Sequence, residues 1–441
     1  MRPFIDILRD AREIIEIGTE VSLDVELGSV LVTAERLEKK AVLFKRVKGH
    51  TIPVVGGVLG SQARVALALE CSREEVVDRI GHAMDNPIKP AVVGDAPFYR
   101  NIIKEGPDLG VLPIPRHAPK DAAPFITGGV TVGRNPATGV QNLSFQRQHV
   151  KGPDTTGMMI NEWRHLRVAH DRAEEAGDPL PVAVAIGVDP VVYIAAGIRY
   201  EGDEIEIAGS LLGRPYPVAR CVTNDLLVPA DSEIVIEGEL LPGVREMEGP
   251  LAEFSGHYGA PWDSPVFRVT AICHRDSPIY QTIAGAGFEH VNLGNVWPRE
   301  PLLKRFVTHV SGGVRAVHIA PYGAGFLAII SLKKSNPGEP KNVALAAMTA
   351  HVNIKNVIVV DDDVDVFDPQ DVMWSLSTRV RPDKDIFFIP NAQGHELDPT
   401  SDHRGVQIKM GIDATLDEEK RGKISKVVYP LVDMSKYLTG G

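Results

Sequence analysis

Residues 129–147 read GVTVGRNPATGVQNLSFQR, two runs of strand-forming residues on either side of a turn. Gly129–Arg134 and Val140–Arg147 are rich in Val, Thr, Leu and Phe, and the segment 135–139 between them holds Asn, Pro and Gly. This pattern predicts a β-hairpin. The stretches after it that also predict strands are Pro181–Val188, Ile205–Leu211, Ala219–Thr223, Glu233–Glu237, Phe267–His274 and Ile279–Ile283. We therefore expect the middle of the chain to be mainly β, as in a barrel or split barrel.

The chain on either side of this region alternates between helix and strand patterns. The elements predicted before it are a strand at Ala41–Val47, a capping box at Ser72 and Glu75, and an opening amphipathic helix with apolar residues at Phe4, Ile7, Leu8, Ala11, Ile14 and Ile15. After it, the features that predict helices and strands in turn are Glu300–Val310, Ala324–Ser331, Asn342–His351, Asn356–Val360 and the helix start Asp368-Pro369. Such alternation is typical of α/β domains. We predict an N-terminal α/β domain over 1–110, a middle split β-barrel domain over 111–297, a linker helix over 298–314 and a C-terminal α/β domain over 315–441.

Composition excludes several classes of function. The 441 residues carry 47 Lys and Arg against 58 Asp and Glu, a net charge of −11. This balance disfavours binding to nucleic acids and to anionic membranes. Three separated cysteines without a CxxC pair fit a reducing compartment, and the sequence has neither a signal-peptide pattern nor a long apolar run. We expect a cytoplasmic protein that binds neither nucleic acid nor membrane.

Common cofactor and metal motifs are missing from the sequence. It has no GxGxxG, no GxxxxGK followed by Ser or Thr, and no HExxH. The Gly-rich stretch at 56–60 lacks the lysine of a phosphate loop, so a plain turn is the better interpretation.

Two polar segments could form one site. Asn142, at the second strand of the hairpin, and His165 offer oxygen and nitrogen ligands for Mg²⁺ or Mn²⁺. A straight strand would point Asn142 and Arg147 to opposite faces, so the strand must bulge or end between them if both serve one site. Taken alone, Asn142 is better explained as a strand or turn residue than as a metal ligand. His165 taken alone fits a surface or packing histidine equally well.

Carboxylates supply the remaining candidates. Gly249-Pro250 stops a helix and places a turn between Glu248 and Glu253, so one loop can aim both at one point, as acid–base pairs require. An acidic hairpin loop is the alternative. Glu204 and Glu206 fall on one face of the predicted strand, where a solvated polar face is the plainer interpretation.

Taken together and in this order, the segments resemble the UbiD family of reversible decarboxylases. The resemblance rests on Asn142-x-Ser144-x-x-Arg147, on His165, on a Glu ahead of Ala208-Gly209, and on Glu248-Gly-Pro-x-x-Glu253. The stretches 228–230, 233–238, 359–365 and 372–374 also resemble the family, so the likeness extends over nearly the whole chain.

The resemblance implies a prenylated FMN cofactor held by Mn²⁺ (or Mg²⁺), with K⁺ beside it. It implies metal ligation by Asn142, His165 and Glu204, with Glu206 an alternative to Glu204, and an Arg147–Glu248–Glu253 catalytic network with Glu253 as proton donor. The cofactor-binding residues it implies are Asn142, Ser144, Phe145, Gln146, Arg147, Arg164, His165, Glu204 and Lys355. The candidate substrate contacts are Phe288, His290 and Arg299.

The function expected from the resemblance is reversible, non-oxidative decarboxylation of an aromatic, heteroaromatic or α,β-unsaturated acid. The expected partners are the acid and CO₂, a flavin prenyltransferase that supplies the cofactor, and further copies of the chain in a homodimer or hexamer. Two alternatives remain open: a catalytically silent flavin-carrier or assembly protein of the same fold, and a Mn-dependent hydrolase using an activated water.

Overall fold

The computed structural model describes residues 1–417, 419–420, 422–430, 432 and 437. Its α-helices are α1 (Arg2–Asp10), α2 (Glu26–Thr33), α3 (Gln62–Ala68), α4 (Val76–Asp85), α5 (His165–Ala176), α6 (Pro190–Gly197), α7 (Glu204–Leu212), α8 (Phe288–Val291), α9 (Glu300–Val310), α10 (Glu339–Ala350) and α11 (Pro369–Arg379). The first strands are β1 (Ile14–Ile17), β2 (Ala41–Phe44), β3 (Val54–Gly56), β4 (Ala91–Val92), β5 (Asn101–Ile103), β6 (Phe125–Ile126), β7 (Gly129–Arg134), β8 (Gln141–Phe145), β9 (Gln148–Val150), β10 (Thr155–Met158), β11 (Leu180–Ile186) and β12 (Pro217–Arg220). The later strands are β13 (Leu227–Pro229), β14 (Ile234–Glu248), β15 (Leu251–Ala252), β16 (Tyr258–Gly259), β17 (Trp262–His274), β18 (Tyr280–Gln281), β19 (Val314–Ile319), β20 (Leu327–Leu332), β21 (Asn356–Asp361), β22 (Ile386–Gln393) and β23 (Val406–Ala414).

The middle of the chain is dominated by one large sheet. Its strand order is β6-β9-β10-β17-β14-β11-β7-β8, and β5 adds to the outer edge of β17. The predicted hairpin of β7 and β8 is confirmed, with Val130 opposite Phe145 and Gly133 opposite Asn142. The apolar run of β11 pairs with β7 on one side and β14 on the other, so it lies at the centre of the core. Inward-facing Val and Ile on these strands hold the hairpin rigidly.

Two other sheets flank it. β1, β2, β3 and β18 form the N-terminal sheet, in which β18 returns from far along the chain to pair with β3. The chain that follows β18 stays at the N-terminal region, where Phe288 and Glu289 form hydrogen bonds with Glu35 and Gly57. The C-terminal sheet has the order β19-β20-β21-β23-β22, with α10 packed against β21 and β23. The capping box at Ser72 and Glu75 is confirmed, and Asp368 caps α11 as predicted.

Two predicted elements were wrong. Ile205–Leu211 is not a strand but most of helix α7, because Asp203 accepts a hydrogen bond from the Ile205 N–H at 3.1 Å and starts a helix there. The alternation of Glu with Ile imitated a strand at a helix N-terminus, where acids are also favoured. The first helix ends at Asp10, so the residues from Ile14 belong to β1. Within the described residues, no helix is long and apolar enough to cross a membrane.

Candidate active site

Arg147 sits two residues beyond the end of β8. The strand stops at Phe145, so Arg147 does not have to follow the strand's alternation of faces. Its Nε donates to Glu248 Oε1 at 2.8 Å and its Nη2 donates to Glu248 Oε2 at 2.6 Å. Its Nη1 contacts Glu253 Oε1. The structure therefore joins all three residues that the sequence nominated as a catalytic network.

The loop after Glu248 is built to aim Glu253 back toward Arg147. It contains a cis Gly249–Pro250 bond, and β15 then pairs with β16 so that the chain reverses. Asp121 fixes the reversal by accepting hydrogen bonds from the N–H groups of Ala252 at 2.9 Å and Ala118 at 2.8 Å. These bonds tie the loop to the segment around Asp121 and so fix the backbone next to Glu253.

The network is desolvated. Glu248 is fully buried, and this burial raises the pKa of its carboxyl although Arg147 acts in the opposite direction. Burial, together with the charges of Lys151 and Arg147, lowers the pKa of the neighbouring His149 to about 4. A neutral His149 ring can accept a hydrogen bond, and its Nδ1 lies 3.3 Å from the Gly249 nitrogen. Burial makes these charge-assisted contacts stronger than they would be in water.

Asn142 on β8 and Glu204 at the start of α7 form a second buried contact. The Glu204 carboxylate is buried and accepts from Asn142 Nδ2 at 2.8 Å and from the Leu143 N–H at 2.7 Å. Burial raises the pKa of Glu204 well above its ordinary value. Ser144 and Gln146 extend the same hydrogen-bonded chain toward the cleft. Helix α7 holds Glu204 at this point, and Glu206 is less buried.

His165, the third proposed metal ligand, lies beside a different acid, Glu201. It is the first residue of α5, and its Nε2 lies 3.7 Å from Oε1 of the exposed Glu201. Another group of possible ligands, His170, Asp171 and Glu174, lies further along this helix. Those two acids already pair with Arg167 and Arg245.

A cleft opens beside the Arg147–Glu253 contact. Its volume is about 1150 Å³, counting space open to solvent. The residues named from the sequence that line it are Phe145, Gln146, Arg147, Arg164, Glu253, His290 and Arg299. Phe288 does not line it; the Phe288 N–H instead donates to Glu35 Oε2 at 3.0 Å. Lys355 is also outside the lining and pairs with Asp398 at 2.8 Å.

The cleft also holds an aromatic cluster that was not predicted from the sequence. The Phe254 ring lies edge-on to His395, with ring centroids 5.5 Å apart, and edge-on to His290 at 6.3 Å. Phe254 follows Glu253 directly and could have been nominated from the motif. His395 comes from the loop between β22 and β23, and nothing in its local sequence indicates a site. Burial lowers the pKa of both His290 and His395 to about 4, so both rings are neutral near pH 7.

Comparison with known families covers nearly the whole chain. The 3-octaprenyl-4-hydroxybenzoate carboxy-lyase N-terminal domain matches residues 5–84, the Rift-related domain of the same enzyme matches 91–287, and its C-terminal domain matches 292–414. The chain belongs to the UbiD family of decarboxylases. It is therefore a carboxy-lyase, built on the three-part architecture of that family.

Individual relatives agree with this assignment. Anhydromevalonate phosphate decarboxylase of Methanothermobacter thermautotrophicus is 37% identical over 97% of this chain and 99% of its own. The UbiD-class enzyme HmfF from Pelotomaculum thermopropionicum, solved in complex with FMN, is 38% identical with a TM-score of 0.94 over 99% of both chains. An evolved dimeric form of HmfF in complex with prFMN has a TM-score of 0.90 at 36% identity, again over 99% of both chains.

Proposed function

We propose that this chain catalyses the reversible, non-oxidative decarboxylation of an α,β-unsaturated, aromatic or heteroaromatic carboxylic acid, with prenylated FMN as cofactor. The observation that carries the proposal is the buried Arg147–Glu248–Glu253 network, of which Arg147 and Glu253 line a cleft. It combines a fixed cation with a carboxyl group that reaches the cleft, which is what exchange of a carboxylate for a proton requires.

The residues around the cleft suit a phosphorylated flavin. Phe145 offers an apolar surface, Arg164 a positive charge, and the nine-stranded sheet would serve as the split barrel around them. Glu204 is a buried carboxylate whose hydrogen-bond donors, Asn142 Nδ2 and the Leu143 N–H, are both neutral. A divalent cation would compensate this charge, and amide oxygen, carboxylate and imidazole are ligands that Mn²⁺ and Mg²⁺ accept. Asn142, Glu204 and His165 would hold the metal, after His165 exchanges Glu201 for the ion.

The reaction breaks a bond between two carbons and leaves an electron pair on the carbon that loses CO₂. When bound, prenylated FMN supplies the sink for that pair. The protein supplies orientation and the proton. Of the five N–H donors of Arg147, three are used by Glu248 and Glu253, which leaves two for a substrate carboxylate. As CO₂ leaves, Glu253 gives its proton to the carbon, and it takes the proton back in the reverse direction.

Several further features belong to this proposal through the family resemblance. They are a K⁺ ion beside the divalent metal, cofactor supply by a flavin prenyltransferase, and assembly as a homodimer or hexamer. Lys355 would join the phosphate contacts only if its ion pair with Asp398 opened. The intact acid–base network argues against a silent carrier, and the apolar, aromatic wall beside Glu253 argues against a hydrolase, which needs a water-filled site.

Mass spectrometry of protein purified from cells that also express a flavin prenyltransferase tests the cofactor directly. We expect prenylated FMN together with Mn²⁺ or Mg²⁺, and CO₂ release from at least one acid of a panel of enoates, benzoates and five-ring heteroaromatic acids. A folded protein that retains no flavin under these conditions contradicts the proposal.

A further inference from the structure

A second group of possible metal ligands lies on helix α5, outside the cleft. One ligand atom each of His170, Asp171 and Glu174 lies within 4.8 Å of the other two. His170 and Glu174 are one helical turn apart and so share a face of α5, and Asp171 is the residue after His170. None of the three lines the cleft, and in the described part of the chain no other His, Cys, Asp or Glu side chains form such a group of three.

The His170 ring distinguishes this group from an ordinary acidic cluster. The residue is only 1% exposed, and neither ring nitrogen has a hydrogen-bond partner among the described residues. One of these nitrogens lies within 4.8 Å of both carboxylates. Burial and the charge of Arg245 lower the pKa of the ring, so it is neutral near pH 7 and offers a lone pair. A buried polar atom without a partner destabilises the fold, and a bound cation would supply the missing partner.

The backbone offers a group for the other ring nitrogen. The Leu241 carbonyl on β14 faces the His170 ring and favours its protonated form, but the contact falls short of a hydrogen bond. A metal-binding histidine usually donates its second N–H to such a carbonyl, which fixes the orientation of the ring. A small rotation of the ring would therefore satisfy both nitrogens, one on the ion and one on Leu241.

The two carboxylates are paired with arginines but keep free lone pairs. Asp171 Oδ1 accepts from Arg167 Nε at 2.6 Å. Glu174 Oε2 accepts from Arg245 Nη2 at 2.6 Å, and its Oε1 accepts from the Gly243 N–H. Both ion pairs are partly exposed, and such pairs stabilise a protein little. Because each carboxylate oxygen has two lone pairs, a cation can bind beside the arginines or displace them into water.

We propose that His170, Asp171 and Glu174 bind a divalent transition-metal ion of the Zn²⁺ class, at a site separate from that of the cofactor metal. One imidazole and two carboxylates, with open positions for water, are a donor set that Zn²⁺ accepts, whereas Mg²⁺ prefers oxygen ligands. Because Leu241 and Gly243 of β14 contact two of the ligands, the ion would strengthen the packing of α5 on β14. The site does not depend on the proposed decarboxylation, so its failure would leave that function untouched.

The test is calorimetric titration of the whole chain with Zn²⁺. The protein is purified from cells that also express a flavin prenyltransferase, and Mn²⁺ in the buffer keeps the cofactor site filled. We expect one Zn²⁺ per chain, bound with micromolar or tighter affinity, while the Mn²⁺ content and the flavin absorbance stay unchanged. Added Zn²⁺ should also raise the midpoint of thermal unfolding, because it binds the native state.

Variants assign the ion to this cluster. Glu174→Gln and Asp171→Asn each remove a charged ligand at a partly exposed position and should weaken Zn²⁺ binding at least about tenfold, the scale that even outer partners of a metal contribute. His170→Phe keeps a ring in the buried position and should weaken binding as much. Glu175→Gln is the matched control, because Glu175 is an exposed acid on the same helix and outside the cluster.

Three results overturn the inference. The first is binding of Zn²⁺ by the parent protein no tighter than millimolar. The second is parental affinity in Glu174→Gln and Asp171→Asn, whose partly exposed side chains keep the test valid if His170→Phe does not fold. The third is uptake of Zn²⁺ only with loss of Mn²⁺, which would assign the ion to the cofactor metal site.

Discussion

Arg147 binds Glu248 through two parallel hydrogen bonds, Nε to Oε1 at 2.8 Å and Nη2 to Oε2 at 2.6 Å. Both oxygens of Glu248 are thereby occupied, whereas Glu253 meets the same guanidinium through one oxygen only. Glu253 also lines the cleft, and Glu248 does not. Under the proposed function, this difference would let Glu248 orient Arg147 while Glu253 exchanges the proton at the cleft.

Glu253→Gln should abolish most turnover while the loop keeps its shape. We expect bound cofactor as in the parent and a rate lower by at least about a hundredfold, the usual contribution of a general acid. The measurement is CO₂ release at saturating substrate, with flavin content determined in parallel. Glu246→Gln, a change at an exposed acid of β14, the strand before this loop, is the control. Parental rates in Glu253→Gln would make Glu253 a structural residue.

The metal hypothesis predicts that flavin and metal are lost together. His165→Ala removes one proposed ligand, and because the ion and the cofactor phosphate hold each other, the contents of both should fall. Metal analysis and flavin absorbance on the same sample measure this. His309→Ala, at an exposed histidine, should change neither. Full occupancy in a folded His165→Ala protein would remove His165 from the site.

Close packing at Gly285 predicts sensitivity to a single methyl group. A Cβ on Gly285 would lie 2.3 Å from the carbonyl oxygen of Ala252, the residue before Glu253. Gly285→Ala should therefore push the Glu253 loop away from Arg147 and lower both stability, by about 1–3 kcal/mol, and activity. Gly312→Ala is the control, since nothing lies within 4 Å of its added Cβ. Thermal unfolding and CO₂ release test both effects, and parental values for Gly285→Ala would contradict the packing.

A buried acid pair outside the cleft predicts a pH dependence of stability. Glu289 accepts from the N–H groups of Gly57 at 2.8 Å and Leu59 at 2.7 Å, so the glycine-rich turn holds a carboxyl group of the chain itself. Burial and the nearby Glu35 raise the pKa of Glu289 to about 8. Between its unfolded pKa and this value the native state holds a proton that the unfolded state releases, so the free energy of unfolding falls as pH rises.

Glu289→Gln should remove this dependence. When the pH rises from about 5 to about 8, the free energy of unfolding should fall less in the variant than in the parent. The difference between the two proteins should be up to a few kcal/mol. Denaturant unfolding at several pH values measures the slope in each protein, and Glu246→Gln should keep the parental slope. Equal slopes in the parent and Glu289→Gln would show that Glu289 does not carry the proton.

The sequence predicted those parts of the fold and site that depend on local signals. The hairpin at 129–147 has its turn residues and its strand residues in order, and the capping residues Ser72 and Asp368 act within one helical turn. The Glu248–Glu253 loop was also predicted from a local signal, because the Gly-Pro turn places both acids in one loop. Neighbouring residues alone determine the hairpin turn and the caps, whereas the loop is also held by Asp121 from far along the chain.

The predictions were wrong where contacts between distant residues, or a single capping hydrogen bond, determine the local structure. At Ile205–Leu211 the period-two pattern favoured a strand, but the cap at Asp203 made it a helix. Phe288 was expected to contact the substrate, yet the Glu35 carboxylate accepts a hydrogen bond from its backbone N–H and the cleft is instead lined by Phe254. His395 reaches the cleft from a loop of the C-terminal sheet, more than a hundred residues from His290. Such tertiary neighbours leave no periodicity in the sequence.

Decarboxylation in D₂O tests the proton path from Glu253 most directly. The experiment uses cofactor-loaded protein, an acid that releases CO₂, and mass spectrometry of the product. The account predicts one deuterium on the carbon that carried the carboxyl group, slow exchange of the same hydrogen when product alone is incubated in D₂O, and loss of both in Glu253→Gln. Release of CO₂ without deuterium at that carbon, or parental exchange in Glu253→Gln, would contradict it.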